Sequence, residues 1–112
     1  MLAVLAAFSA YAQQQYDDEH YFQVEPLENG AARIIGYTGP GGEVHIPPRI
    51  QGMAVTEIGD EVFHRKQLTS ITIGANVTMT RSAFGDRFYY SYGRYERKAG
   101  TYTYSYDQWT LR

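Results

Sequence analysis

The hydrophobic positions in the middle of the chain follow one pattern twice. Residues 44–46 correspond to 71–73, and residues 58–63 correspond to 79–84. The first two segments begin 27 positions apart and the second two begin 21 apart, so the copies differ by an insertion around 51–55. Self-similarity at about 20–30 residues is typical of stacked repeats, in which each unit buries its apolar edge against the next.

Each copy starts with alternating apolar and polar residues, which predicts a short strand. Val44 and Ile46 of the first copy point to the same side of the strand, as do Ile71 and Ile73 of the second. The polar residues beside them point to the opposite, solvated side. These polar residues are Glu43, His45, Ser70 and Thr72. If the copies stack, the two strands run parallel and the four polar side chains form one patch.

The chain after the first strand predicts a return segment that adds residues to the same interior. Pro47 and Pro48 cannot donate hydrogen bonds to a strand ladder, so the strand ends before them. Residues 61–67 are predicted to form one short helix, with Asp60 as its N-cap. The apolar residues expected in the interior are Ile50, Val55, Ile58 and Phe63.

The residues before the first copy predict a β-hairpin. Residues 21–24 and 32–37 have the composition of strands, and an Asn-Gly pair between them is a strong turn signal. Terminal repeats need a cap with a polar outer surface, and residues 21–42 are predicted to supply it. The preceding polar residues, 13–20, are predicted to form a flexible linker.

The last segment, residues 85–112, is rich in aromatic and basic residues. It holds seven of the 11 tyrosines and the single tryptophan. Residues 86–92 predict a short helix that Gly93 ends. Residues 101–104 and 109–111 alternate in polarity, which predicts a closing hairpin.

Two interpretations of this tail stay open. In the first, its aromatic side chains form a cap that packs on the last repeat and protects its edge. In the second, Tyr102 and Tyr104 stack on a sugar or another flat ligand, while basic residues attract anions. These basic residues are Arg87, Arg94, Arg97 and Lys98. Residues 1–60 hold eight acidic and two basic residues, whereas 61–112 hold four acidic and eight basic ones, a split that can orient an association.

Residues 34–84 resemble the BspA-like leucine-rich repeats of bacterial surface proteins. The resemblance is carried by the blocks IGDEVF at 58–63 and LTSITI at 68–73. In the tail, the sequence KAGTYTY followed by a tryptophan resembles the usual ending of such proteins. The second copy departs from the pattern, because Met79 and Thr80 replace the usual Ile-Gly and a glycine replaces the usual proline.

This resemblance implies one domain over residues 21–112, with the repeats at 43–84 and a C-terminal cap at 85–112. The implied fold is mainly β, of the α+β class: a short leucine-rich-repeat solenoid with an N-terminal hairpin cap and a C-terminal aromatic hairpin cap. The implied function is non-catalytic binding or adhesion to a protein or glycan surface through the solvated strand face. The expected contact residues are Glu43, His45, Ser70, Thr72, Tyr102 and Tyr104.

The first 12 residues predict export. They form an apolar run that ends in Ala-Tyr-Ala, which is typical of a signal-peptide cleavage site, although no Lys or Arg precedes the run. The run is shorter than the about 20 residues that span a bilayer. Residues 1–12 are therefore predicted to be part of a signal peptide, and a buried helix is the alternative. We expect a bacterial protein that is secreted, periplasmic or on the cell surface, with no transmembrane segment.

The sequence lacks the motifs of several functional classes. It has no Cys, so a thiol nucleophile and a disulfide are excluded. The three histidines, His20, His45 and His64, do not have the spacing of a metal site. No catalytic residue, metal ligand or cofactor is predicted. The net charge of −2 and the absence of known recognition motifs argue against nucleic acid as a partner.

A second hypothesis concerns the small number of repeats. A stable stack usually needs about three units, and only two are recognisable here. The chain is then a structural or truncated unit that self-associates and has no ligand of its own.

Overall fold

The computed structural model describes residues 15–112, and the predicted signal peptide lies outside them. This part of the chain forms nine strands, one α-helix and two short 3-10 turns, at Glu19–Tyr21 and Arg81–Ala83. The elements are β1 (Phe22–Pro26), β2 (Ala32–Tyr37), β3 (Glu43–His45), β4 (Arg49–Ile50), β5 (Met53–Ile58), β6 (Ser70–Ile73), β7 (Thr78–Met79), α1 (Asp86–Arg94), β8 (Gly100–Ser105) and β9 (Gln108–Leu111).

The strands of the two repeat copies lie side by side in a four-stranded sheet of order β3-β6-β8-β9. β3 and β6 are parallel, with Val44 opposite Ile71 and His45 opposite Thr72. This pairing confirms that the copies stack in the same direction and in the predicted register. Val44 and Ile71 are fully buried, because both point into the interior between this sheet and the return segments.

The N-terminal hairpin and the return segments together form a second sheet of order β1-β2-β5-β4, in which β7 also pairs with β5. Strands β2, β5 and β7 are parallel and place Ile34, Ile58 and Met79 in one line. Ile58 and Met79 are equivalent positions of the two copies, so the copies also align on the return side. Ile34 belongs to the N-terminal hairpin, which therefore continues the stack by one further segment.

A row of aromatic rings crosses the interior beside this line. Tyr37 and Phe63 have ring centroids 5.0 Å apart, and Phe63 stacks on Phe84 at 4.6 Å with the planes 2° apart. Phe84 in turn contacts Phe88 of α1 at 4.7 Å. Such pairs stabilise by about 0.5–1.5 kcal/mol beyond their area burial. The row joins the N-terminal hairpin, both repeat copies and the tail in one core.

Both predicted hairpins are confirmed. β1 and β2 are antiparallel, and the turn between them uses Gly30 at φ 85°. β8 and β9 are antiparallel as well, with Tyr106 and Asp107 both at positive φ. Two consecutive left-handed residues match the twist of the flanking strands, which is why this short connection closes a hairpin. β8 also pairs with β6, so the tail covers the edge of the second copy.

The predicted helix at residues 61–67 is wrong. Glu61, Arg65 and Gln67 have φ of 61°, 64° and 51°, and left-handed residues interrupt a right-handed helical ladder. The segment instead forms consecutive turns, with the amide of His64 donating to the carbonyl of Glu61 at 3.2 Å. Asp60 is not an N-cap, because no helix follows it, and its carboxylate accepts a hydrogen bond from the hydroxyl of Thr80.

Two further boundaries need correction. Helix α1 continues through Gly93 to Arg94, and it ends where Glu96 and Arg97 adopt positive φ. The described part of the predicted linker is attached to the domain. Asp17 exchanges hydrogen bonds with His45, its amide donating to the carbonyl at 2.9 Å and its carboxylate accepting from the amide at 3.0 Å. The carboxylate of Glu19 accepts a hydrogen bond from the amide of residue 51 at 2.8 Å, so this segment is held at two points.

Candidate functional site

The outer side of the four-stranded sheet carries a continuous set of polar side chains. The register places His45, Thr72 and Thr101 in one row across β3, β6 and β8. A second row across β3, β6, β8 and β9 consists of Glu43, Ser70, Thr103 and Thr110. We call the exposed and half-buried residues of the two rows the polar face. The polar face comprises Glu43, His45, Thr72, Thr101, Thr103 and Thr110.

Hydrogen bonds fix the geometry of the first row. The hydroxyls of Thr72 and Thr101 lie 2.8 Å apart, a cross-strand pair that orients both side chains. Nδ1 of His45 lies 3.4 Å from a carboxylate oxygen of Asp17, so the N-terminal segment borders the polar face at β3. The His45 side chain is 32% exposed and the Asp17 side chain 21%. This arrangement offers hydroxyl, imidazole and carboxylate groups for hydrogen bonding to a ligand.

Ser70 does not belong to the exposed set that the sequence predicted. It points to the correct side, but only 7% of its surface is exposed. The register explains the burial, because the small Ser70 side chain lies between the longer side chains of Glu43 and Thr103. Sequence alternation identified its side of the strand but could not show which neighbours cover it.

Tyr102 and Tyr104 are not on the polar face either, which corrects their predicted exposure. Tyr102 stands opposite Ile71 on the interior side, is fully buried and donates a hydrogen bond to the carbonyl of Lys98 at 2.7 Å. Burial raises the pKa of Tyr102 to about 12. Tyr104 packs against Trp109 with ring centroids 5.2 Å apart. The burial of Tyr102 favours the cap interpretation for that ring, whereas Tyr104 is half-buried and lines a cavity on the interior side of the sheet.

The basic residues of the tail do not converge on the polar face. Arg94 and Arg97 line a groove of about 730 Å³ between β7 and α1. Tyr90, at the same groove, is 54% exposed and accepts a hydrogen bond from Arg81 at 3.3 Å. Arg87 instead donates to the carbonyl of Asp107 at 2.9 Å, which ties α1 to the closing hairpin. These basic residues were identifiable from the sequence, but the separation of Arg87 from Arg94 and Arg97 was not.

A charged row lies on the second sheet and has a structural explanation. Arg33 on β2 is flanked by Glu25 on β1 and Glu57 on β5. Its Nε donates to Glu57 at 2.9 Å, and a terminal nitrogen of the guanidinium donates to Glu25. The carboxylates of Glu57 and Glu25 raise the pKa of Arg33. Ion pairs between side chains this exposed contribute little free energy, so this row links β1, β2 and β5 without stabilising them much.

Residues 15–112 contain no cluster of three or more His, Asp or Glu side chains that could hold a metal ion. Over the same residues, no helix is long and apolar enough to cross a membrane.

Comparison with known proteins found a similarity to a solved structure. No protein-family model matches the chain, and no curated protein matches it. Among solved structures, the crystal structure of a leucine-rich-repeat protein from T. pallidum is similar, with a TM-score of 0.56 and 23% sequence identity. The similarity covers 62% of this chain and 34% of that one, so this chain spans about a third of that protein's length. With the stacked strands described above, the similarity shows that this chain has a leucine-rich-repeat-like fold.

Proposed function

We propose that the protein is a non-catalytic binding module of the leucine-rich-repeat type whose polar face recognises a protein or glycan surface. One observation carries the proposal: the parallel, in-register pairing of β3 and β6, which brings His45 and Thr72 together from the two copies. β8 adds Thr101 and Thr103 to the same surface. A site built on paired strands holds its side chains more rigidly than one built on loops.

The size of the polar face sets the expected strength of binding. Strands are about 4.8 Å apart, so four of them span roughly 15 Å. A stable protein–protein contact usually buries about 800 Å² on each partner, which is more than this face can supply. A single domain should therefore bind weakly, and several copies on one surface would raise the apparent affinity by multivalency.

We further propose that the module belongs to the BspA-like group and works outside the cell, as a secreted, periplasmic or surface protein of a bacterium. The support is the sequence of residues 58–63 and 68–73, together with the apolar run at 1–12 that ends in a cleavage signature. Expression of the full chain in a bacterium, followed by fractionation and mass spectrometry of the amino terminus, tests export. An intact residue 1 in the cytoplasmic fraction would contradict it.

Binding is tested on arrays of extracellular-matrix proteins and glycans with the double variant His45→Ala/Thr72→Ala. The matched control is His64→Ala/Thr78→Ala, which removes the same side-chain types from exposed positions outside the polar face. Wild type and control should bind the same spots, and the polar-face variant should lose them. Circular dichroism verifies that all three proteins are folded. Equal binding by the two variants would remove the polar face as the site.

A second function, self-association, is favoured by the charge distribution. Residues 1–60 have a net charge of −6 and residues 61–112 one of +4. Opposite net charges on the two halves of the sequence favour head-to-tail contact between copies, which builds a closed ring where the rotation between copies closes and an open chain where it does not. Sedimentation at low and high salt tests this function. A protein that stays monomeric at high concentration and low salt would exclude it.

A further inference from the structure

A cavity of about 400 Å³ lies on the side of the four-stranded sheet opposite the polar face. It opens between the turns at residues 63–68, the start of α1 and the hairpin β8–β9. Its volume falls in the range of about 300–1,000 Å³ that is typical of small-molecule sites. None of the sequence motifs discussed above identified it, because its walls come from three separate parts of the chain.

Aromatic side chains form the inner walls of this cavity. Phe63 and Phe88 are 2% and 1% exposed, so they form its fixed base. Trp109 meets Phe88 edge-on, with ring centroids 5.4 Å apart, and Phe84 contacts Phe88 from the other side. These rings hold one another by packing, so the cavity is formed without a ligand. An apolar group entering the cavity would contact the parts of these rings that face it, beside the polar side chains of the remaining wall.

The mouth of the cavity is positively charged. Arg65, Lys66 and Arg87 line it, and Asp86 is the acidic residue among the lining side chains. Within residues 15–112, Arg65 and Lys66 form no ion pair with a carboxylate. The ammonium of Lys66 instead lies 5.8 Å from the ring centroid of Tyr37. Two cations without carboxylate partners beside an aromatic cavity are complementary to an apolar group that carries a negative charge.

We propose that this cavity binds a small aromatic or aliphatic carboxylate. The apolar group lies between Phe84 and Trp109, and the carboxylate remains at the mouth, where Arg65 and Lys66 donate hydrogen bonds to it. At the mouth the charges stay partly hydrated, which avoids the large desolvation penalty of a buried ion pair. A free acid and the carboxy-terminal residue of a peptide share this chemistry. The site is separate from the polar face, so the failure of either proposal leaves the other standing.

Trp109 provides the readout, because it is the single tryptophan of the chain and lines the cavity. The full-length protein is titrated with N-acetyl-L-phenylalanine, N-acetyl-L-phenylalaninamide and acetate while tryptophan fluorescence is recorded. We expect a saturable change with the first ligand, binding about tenfold weaker with the uncharged amide, and no change with acetate. The tripeptide Ala-Ala-Phe is then compared with 3-phenylpropionate, which carries the same ring and carboxylate without a peptide bond. The tighter of the two identifies a peptide end or a free acid as the natural source.

A charge-matched pair of variants locates the carboxylate. Arg65→Asn/Lys66→Gln should weaken N-acetyl-L-phenylalanine binding about tenfold, and asparagine suits the left-handed backbone at position 65. The control Arg49→Gln/Lys98→Gln removes two charges elsewhere and should bind like wild type. The proposal is overturned by the absence of a saturable signal up to about 10 mM ligand. Equal affinity for acid and amide, or wild-type affinity in the Arg65/Lys66 variant, overturns it as well.

Discussion

The hydroxyl of Tyr92 holds the C-terminal helix to the second repeat copy, and removing it gives a direct test of the fold. Tyr92 lies on α1 and is 2% exposed. Its hydroxyl donates to the carbonyl of Gly74 at 2.7 Å and accepts from the amide of Val77 at 2.9 Å. Both partners lie in the connection between β6 and β7, so one atom joins the cap to the repeat.

The substitution Tyr92→Phe keeps the ring and deletes this atom alone. A buried donor left without a partner costs about 1–3 kcal/mol, and Val77 is 3% exposed. The carbonyl of Gly74 also loses its hydrogen bond, so we expect the free energy of unfolding to fall by about 2–3 kcal/mol. At about 4–8 °C per kcal/mol, the melting temperature should fall by roughly 10–20 °C.

Urea denaturation followed by circular dichroism measures this loss at constant temperature. The matched control is Tyr104→Phe, which deletes a hydroxyl bonded to the exposed carboxylate of Asp107 at 3.2 Å. Water replaces that hydrogen bond, so the control should change stability by less than about 0.5 kcal/mol. If Tyr92→Phe were no more destabilising than the control, α1 would not be fixed to the β6–β7 connection as described.

Three further predictions concern the core, a turn and the alkaline limit. Phe63→Ala should lower the free energy of unfolding, measured by urea denaturation, by about 3–5 kcal/mol, because it removes the central ring of the aromatic row. A decrease of less than about 1 kcal/mol would contradict the role of that row. Gly52→Ala should lower the free energy of unfolding by about 1–2 kcal/mol in the same measurement, because φ at this position is 80°. Gly74→Ala is the control: its surroundings are equally open and its φ is not positive, so it should leave the free energy of unfolding unchanged or raise it. Burial raises the pKa of Tyr102 to about 12, whereas the same hydroxyl in the unfolded chain loses its proton near pH 10. Between these pH values only the folded state keeps Tyr102 protonated. Stability should therefore fall between pH 10 and 12, more steeply for wild type than for Tyr102→Phe in denaturation series at those pH values.

The alternation of residues was sufficient to predict the central strands. Val44 and Ile71 were predicted to face the same interior, and the parallel register shows both of them fully buried. The closing hairpin was also predictable from the alternation at residues 101–104 and 109–111. Alternation could not say which side of that hairpin faces the interior, because the pairing of β8 with β6 decides it.

Positions that depend on backbone conformation or on cross-strand neighbours were not predictable in this way. The turns at 61–67 contain charged and amide residues with good helix propensity, but three of them adopt positive φ. The chain reverses there because Phe63 must enter the aromatic row, and its amide donates to the carbonyl of Ala83 in the next copy. Tertiary contacts therefore override local propensity in this segment.

The aromatic row also bears on whether two recognisable repeats can form a stable unit. Tyr37, Phe63 and Phe84 occupy equivalent places in three successive segments, and Ile34 aligns with Ile58 in the parallel sheet. The N-terminal hairpin thus supplies the contacts of a further unit, although its sequence retains little of the repeat pattern. The chain thereby reaches the minimum of about three stacked units that a stable stack needs, so we expect it to fold without a second copy. Self-association, if sedimentation finds it, would then serve multivalent binding rather than folding.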